Sequence, residues 1–140
     1  MLPRDAAAGY RSSWASVLVV VDDQALRLTL ARILAAEGYA VEAAGDGADG
    51  LARARRWPPA VVLLDLSRAA LDGYVFLDAF RRLPSCAAVP VMLLAVSADL
   101  SAARQRTVTD PAVVLVAKPF DLDALLEAIA AGVLRGGRPG

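Results

Sequence analysis

Four runs of the chain, Val17–Val21, Val61–Leu64, Val91–Ala95 and Val113–Ala117, are apolar with no polar alternation. Runs of this kind suit strands covered on both faces, as in a parallel sheet between helices. A weaker fifth run, Ala40–Ala44, reads as an edge strand. Between the runs the period changes. Leu26, Leu30, Ile33 and Leu34 share one helical face, and Gly38 stands where a C-terminal cap glycine belongs. Leu122, Leu125, Leu126, Ile129 and Val133 form a second stripe. Its start is marked by Asp121 as cap, with Phe120 and Leu125 placed as a hydrophobic staple. Helical patterns over Asp46–Arg56, Tyr74–Leu83 and roughly Asp99–Val108 complete a β-α unit repeated five times. Such alternation predicts an α/β domain, an open parallel sheet with helices on both faces. Ligands in these sheets bind at the carboxyl ends of the strands.

Composition narrows the setting. At 140 residues the chain fits one domain and can bury a core without disulfides or structural metal. Residues 1–15 ("MLPRDAAAGYRSSWA") show no period and read as a flexible N-terminal arm. Residues 16–134 read as the folded domain, and 135–140 ("RGGRPG") as a disordered tail or truncated linker. Lys and Arg number 15, as do Asp and Glu, so no basic excess points to nucleic acid or an anionic membrane. No apolar run approaches the ~20 residues of a membrane helix, and the N-terminus lacks the order of a signal peptide. The single cysteine, Cys86, excludes an internal disulfide and points to a reducing, cytoplasmic compartment. On a loop after "RRLPS" it reads as a structural or surface thiol. The absence of histidine excludes histidine triads, histidine metal sites and a histidine general base.

Charge at the ends of the apolar runs changes the picture most. "VLVVVDDQAL" (Val17–Leu26) ends a buried strand on two adjacent carboxylates, Asp22 and Asp23. One carboxylate after a strand can simply cap the next helix, whereas two together need open water or a cation. Asp65 closes the third strand in "VVLLDLS", and Lys118 closes the fifth in "VLVAKPF". Singly, these are a cap, a turn residue and a solvated strand end. Together they set three carboxylates and one ammonium at the carboxyl ends of three strands. Unit charges about 4 Å apart interact by about 4 kcal/mol at an effective dielectric of roughly 20, so a bare cluster is unfavourable. A hard divalent ion relieves it, and a few carboxylates plus waters suit Mg²⁺. A phosphoryl group then fits the remaining positions, with Lys118 adding a second positive charge.

Here the chain resembles the receiver domains of two-component response regulators, over roughly Ser16–Leu134. "VLVVVDDQALRLTLARIL" looks like the family's acidic-pair segment and "AAGDGADGLA" like its second helix entry. "VVLLDLSRAALDGYVFL" is similar to the phosphoacceptor strand and loop, and "PVMLLAVSA" and "VAKPF" to the fourth and fifth strands. The resemblance implies a flavodoxin-like fold, one five-stranded parallel sheet in the order 2-1-3-4-5. It implies that Asp65 attacks a phosphohistidine on a sensor histidine kinase or phosphotransfer protein and becomes an aspartyl phosphate. It further implies that Asp23, Asp65 and the backbone carbonyl of Ser67 bind Mg²⁺ directly and Asp22 through water. Lys118 then contacts the phosphoryl oxygens, and Lys118–Pro119 is a cis peptide. The implied recipient of the signal is a downstream protein target or a missing output domain, with a homodimer as one assembly open to the chain.

The departures from that family bear on switching. The position of its phosphoryl-binding hydroxyl falls on Ala95, and that of its switch aromatic on Leu115. Ser97 offers a substitute hydroxyl only if the loop bends back. Val96 replaces a small residue and narrows access to Asp65, and Arg68-Ala69 replaces the usual Met-Pro. Two functions compete: a phospho-accepting receiver, and a pseudo-receiver interaction module with weak or no phosphorylation-dependent switching. An enzyme with an aspartyl nucleophile usually needs a second acid two residues on, where this chain has Ser67.

Overall fold

The computed structural model describes residues 15–65 and 70–136. Most of the expected arm, the loop residues Ser67, Arg68 and Ala69, and the last four residues of the expected tail lie outside the described residues. Five strands and five helices alternate. They are β1 (Ser16–Val21), α1 (Gln24–Ala36), β2 (Ala40–Ala44), α2 (Gly47–Arg56), β3 (Val61–Asp65), α3 (Ala70–Arg82), β4 (Val91–Val96), α4 (Ser97–Arg106), β5 (Val113–Lys118) and α5 (Leu122–Gly136), with a 3₁₀ turn at Pro84–Cys86. The sheet is parallel throughout in the order β2-β1-β3-β4-β5, as expected.

Strand alternation divides the core in two. Leu18, Val20, Val62, Leu64, Val91 and Leu93 face one way, toward Ala54 of α2, Phe76 and Phe80 of α3 and Ala103 of α4. Val17, Val19, Val21, Val61, Leu63, Met92 and Leu94 face the other, toward Leu30 and Leu34 of α1 and Leu125 and Ile129 of α5. Each fully buried side chain of this size contributes roughly 1.5–3 kcal/mol. At Gly50 a Cβ would stand 3.0 Å from both Phe76 and Val20, so α2 packs this closely only because glycine is there.

The helix ends follow the sequence signals. Asp23 and Asp46 cap α1 and α2, accepting from Leu26 N–H at 2.9 Å and Asp49 N–H at 2.8 Å. Gly38, at φ 100°, ends α1 with its N–H on Ala35 O and Tyr39 N–H on Leu34 O, the paired bonds of a left-handed cap. Asp121 accepts from Asp123 N–H at 3.3 Å, and Phe120 and Leu125 meet in one core cluster.

Several readings need correction. β5 is only half-buried, because it is an edge strand of the sheet. Leu122 is exposed rather than part of the α5 stripe. α4 starts at Ser97, directly after Val96 of β4, with no loop between. Within α4 only Ala103 is buried. Among the described residues no helix is long and apolar enough to cross a membrane.

Cys86 is no surface thiol: the 3₁₀ turn tucks it fully into the core beside α3. Arg81 holds that turn. Its Nη1 donates to Cys86 O (2.9 Å) and Val89 O (2.7 Å), while Nε and Nη2 grip both oxygens of Asp110 at 2.8 and 3.1 Å. Burial pushes the Cys86 thiol up from its ordinary value of 9.0, with Arg81 a smaller opposing pull. The folded state therefore keeps a proton that the unfolded state loses, and this contribution is intact below pH 9.0 and lost as pH rises above it. The thiolate is the reactive form, so a soluble disulfide reagent should label Cys86 about a hundredfold more slowly in the native protein than in urea. Native labelling at the unfolded rate would mean that the turn opens freely.

Candidate functional site

Parallel pairing brings the ends of β1 and β3 side by side: Val21 is in register with Asp65, and Asp22 N–H donates to Asp65 O at 3.2 Å. The acidic pair thus leaves the sheet next to Asp65. Lys118 ends β5, in register with Val96 at the end of β4. Its stem crosses the end of β4, and Nζ donates to Asp65 Oδ2 at 2.6 Å. Residues 53 positions apart are joined because β4 alone separates their strands.

The Asp65 carboxylate is 1% exposed. Lys118 secures Oδ2, but Oδ1 is buried with no hydrogen-bond partner. Burying a charge is costly unless it is fully paired, and an ion pair at such a place contributes little net stability. A buried carboxylate oxygen in this state is one that an ion would satisfy. Asp22 is half-buried, whereas Asp23 is exposed and gives Oδ1 to its own helix. Among the described residues, no three Asp, Glu, His or Cys side chains are gathered tightly enough to hold an ion as they stand. The donor chemistry nonetheless fits Mg²⁺: oxygens only, one of them buried and unsatisfied, with a second pair of carboxylates on the adjoining strand end.

Of the positions expected to lack a switch, Ala95 lies at the same end of the sheet and Leu115 in the middle of β5. Ala95 is buried at the end of β4, opposite Ala117. Ser97 is exposed in the first turn of α4, and Val96 before it is 40% exposed. Leu115 is half-buried and packs against the cluster that includes Ala103 of α4. Lys118–Pro119 is cis.

Two contacts had no signal in the sequence. Arg106 of α4 covers the ring of Tyr74 of α3, 4.2 Å from its centroid, tying α4 to the helix that follows the Asp65 loop. Arg27 of α1 reaches back to Val21 O at 2.8 Å. Both depend on how helices lie on the sheet, which no local pattern encodes.

Residues 17–130 match the response regulator receiver domain family. Response regulator MprA of Mycobacterium leprae is 35% identical over 123 residues, 88% of this chain and 52% of that protein. Transcriptional regulatory protein KdpE of Mycobacterium tuberculosis is 33% identical over 121 residues, 86% of this chain and 52% of that protein. The chain thus spans about half the length of the curated relatives it matches. Among solved structures, the chemotaxis response regulator CheY4 of Vibrio cholerae aligns with a TM-score of 0.74 at 27% identity, covering 84% of this chain and 98% of that one.

Proposed function

Because the chain belongs to the response regulator receiver domain family, we propose that it accepts a phosphoryl group on Asp65 from a sensor histidine kinase or phosphotransfer protein. The observation that carries this is the buried Asp65 carboxylate, oriented through Oδ2 by Lys118 and unsatisfied at Oδ1. In the transfer, a carboxylate oxygen forms a bond to phosphorus, the phosphorus–nitrogen bond of the donor breaks, and its imidazole leaves with the electron pair. Lys118 offsets charge on the phosphoryl oxygens. Asp65, Asp23 and the Ser67 carbonyl would hold Mg²⁺, with Asp22 acting through water. When bound, the ion neutralises charge that develops on the phosphoryl group.

The wider assignment follows. The receiver spans 16–134, between an arm (1–15) and a tail or linker (135–140). It acts in the cytoplasm as a signalling module, not a turnover enzyme, and makes no direct contact with nucleic acid or membrane. Its message goes to a protein target or an output domain, and a homodimer is open to it. The test is Mg²⁺-dependent uptake of phosphate from acetyl phosphate, read by mass spectrometry. No uptake with Mg²⁺ present would defeat the proposal.

A second reading, a pseudo-receiver with weak switching, is favoured by specific observations. Ala95 has no hydroxyl, and α4 follows β4 without a loop that can swing inward. In the wild type, beryllofluoride should shift amides near the site only. Ala95→Thr adds a hydrogen bond to a charged acceptor, worth about 1.5–3 kcal/mol, or roughly ten- to a hundredfold in population. Its shifts should spread through residues 98–115. Large wild-type shifts through α4 and β5 would mean that another element carries the switch.

A further inference from the structure

We infer that Arg27 is a positioning residue that clamps the acidic pair, and that Gly45 is its seat. This rests on the reading of Asp22, Asp23 and Asp65 as the Mg²⁺-binding acids. The argument starts from one peptide plane. Val21 O and Asp22 N–H belong to the same peptide unit and point in opposite directions. The N–H is bound to Asp65 O at 3.2 Å, on the β3 side. The carbonyl therefore faces β2, whose last residue in register is Ala44, opposite Val20. Asp46, two residues beyond, already caps α2. The Val21 carbonyl is thus past the end of the β2 ladder, and Arg27 Nη1 fills that place at 2.8 Å.

The same residue grips the other end of the acidic pair. The backbone N–H of Arg27 donates to Asp23 O at 2.9 Å. Side chain and main chain of one residue thus bracket Asp22-Asp23 on both sides. The main-chain bond is the first of α1, so the guanidinium contact is what Arg27 adds, and it steadies a peptide already bonded to the backbone of Asp65.

Gly45 gives an independent sign of this arrangement. A Cβ there would lie 3.0 Å from Arg27 Nη1 and 3.4 Å from Cζ. Its φ lies outside the left-handed region, so the backbone does not demand glycine. The guanidinium lies against the Gly45 backbone, and a side chain there would push its flexible end aside by a few tenths of an ångström. Losing outer support of this kind costs a metal site about tenfold or more in affinity.

The experiment is a Mg²⁺ titration of the full chain, following the amide signals of residues 22, 23 and 65, with thermal unfolding recorded for each variant. Arg27→Gln should weaken Mg²⁺ binding about tenfold. Gly45→Ala keeps the charge but shifts the guanidinium, and should weaken it in the same direction and by less. The double variant should be no worse than Arg27→Gln alone, as for two changes that act on one contact. The proposal is overturned if Arg27→Gln binds Mg²⁺ as the wild type does. It is also overturned if Gly45→Ala is normal while Arg27→Gln is weak, because the charge and not the clamp would then be acting. A wild type that shows no Mg²⁺ response would instead sink the metal-site reading, and the clamp's purpose with it.

Discussion

Asp65→Asn should fold like the wild type and gain no phosphate from acetyl phosphate under conditions where the wild type is modified. The side chain keeps its shape, so the packing at the end of β3 survives. The amide can still accept from Lys118, which lies 2.6 Å from Oδ2 in the parent protein. What disappears is the anionic oxygen that must bond to phosphorus. No other acid among the described residues can take over: Asp65 is the only buried one, and Asp23 Oδ1 is engaged with Leu26 N–H. The expected loss is complete within the sensitivity of intact-mass detection. Uptake by Asp65→Asn at the wild-type rate would transfer the acceptor role to another residue and undo the assignment of the whole constellation.

Arg81→Ala should be the most destabilising of the changes considered, by about 3 kcal/mol, or roughly 10 °C in Tm for a domain of this size. Arg81 and Asp110 are 16% and 21% exposed, so solvent screens their bidentate pair little. The alanine variant leaves the Asp110 carboxylate with Ala112 N–H but without its cation, takes the Arg81 donor from Val89 O, and leaves Cys86 O only the long bond from Val89 N–H. Arg81→Lys should recover little, since an ammonium cannot reproduce the planar fork that holds two carboxylate oxygens and two carbonyls at once. Val89 and Asp110 precede β4 and β5, at the amino ends of the strands. Asp65 and Lys118, the proposed acceptor and its partner, lie at the other end, so phosphate uptake below the unfolding transition should be unchanged. A Tm drop of only a degree or two, the size typical of an exposed ion pair, would show that the fork is solvated.

Much of this molecule was legible in its one-dimensional pattern, because the signals involved are local or periodic. The all-apolar runs at Val17, Val61 and Val91 announced strands covered on both faces. Gly38, Asp121, Phe120 and Leu125 marked helix ends, where the hydrogen bonds span only a few residues. That Asp22, Asp23, Asp65 and Lys118 lie at one edge was legible because a parallel α/β sheet sends every strand's carboxyl end to one side. That places charged residues at one edge, while their side chains are free to turn elsewhere, as Asp23 does. Strand order came from likeness to a family, not from periodicity, since the pattern of a strand does not name its neighbours.

The rest depended on distances that only the folded chain sets. Asp23 was expected to bind Mg²⁺ directly and Asp22 only through water, yet Asp23 is exposed and gives Oδ1 to its helix while Asp22 is half-buried. The direction of each side chain follows from where α1 leaves the sheet. Cys86 looked like a loop thiol because it follows the helix end and Pro84, but the turn through Pro84 folds it under α3, where Arg81 donates to its carbonyl. Leu122 fell on an apolar stripe and came out exposed at the first residue of α5. Arg27 and Gly45 lie 18 positions apart and read as an ordinary helix residue and an ordinary turn glycine. Their contact exists because β2 stops one residue short of the Val21 carbonyl, and a guanidinium fills the space that the missing strand leaves.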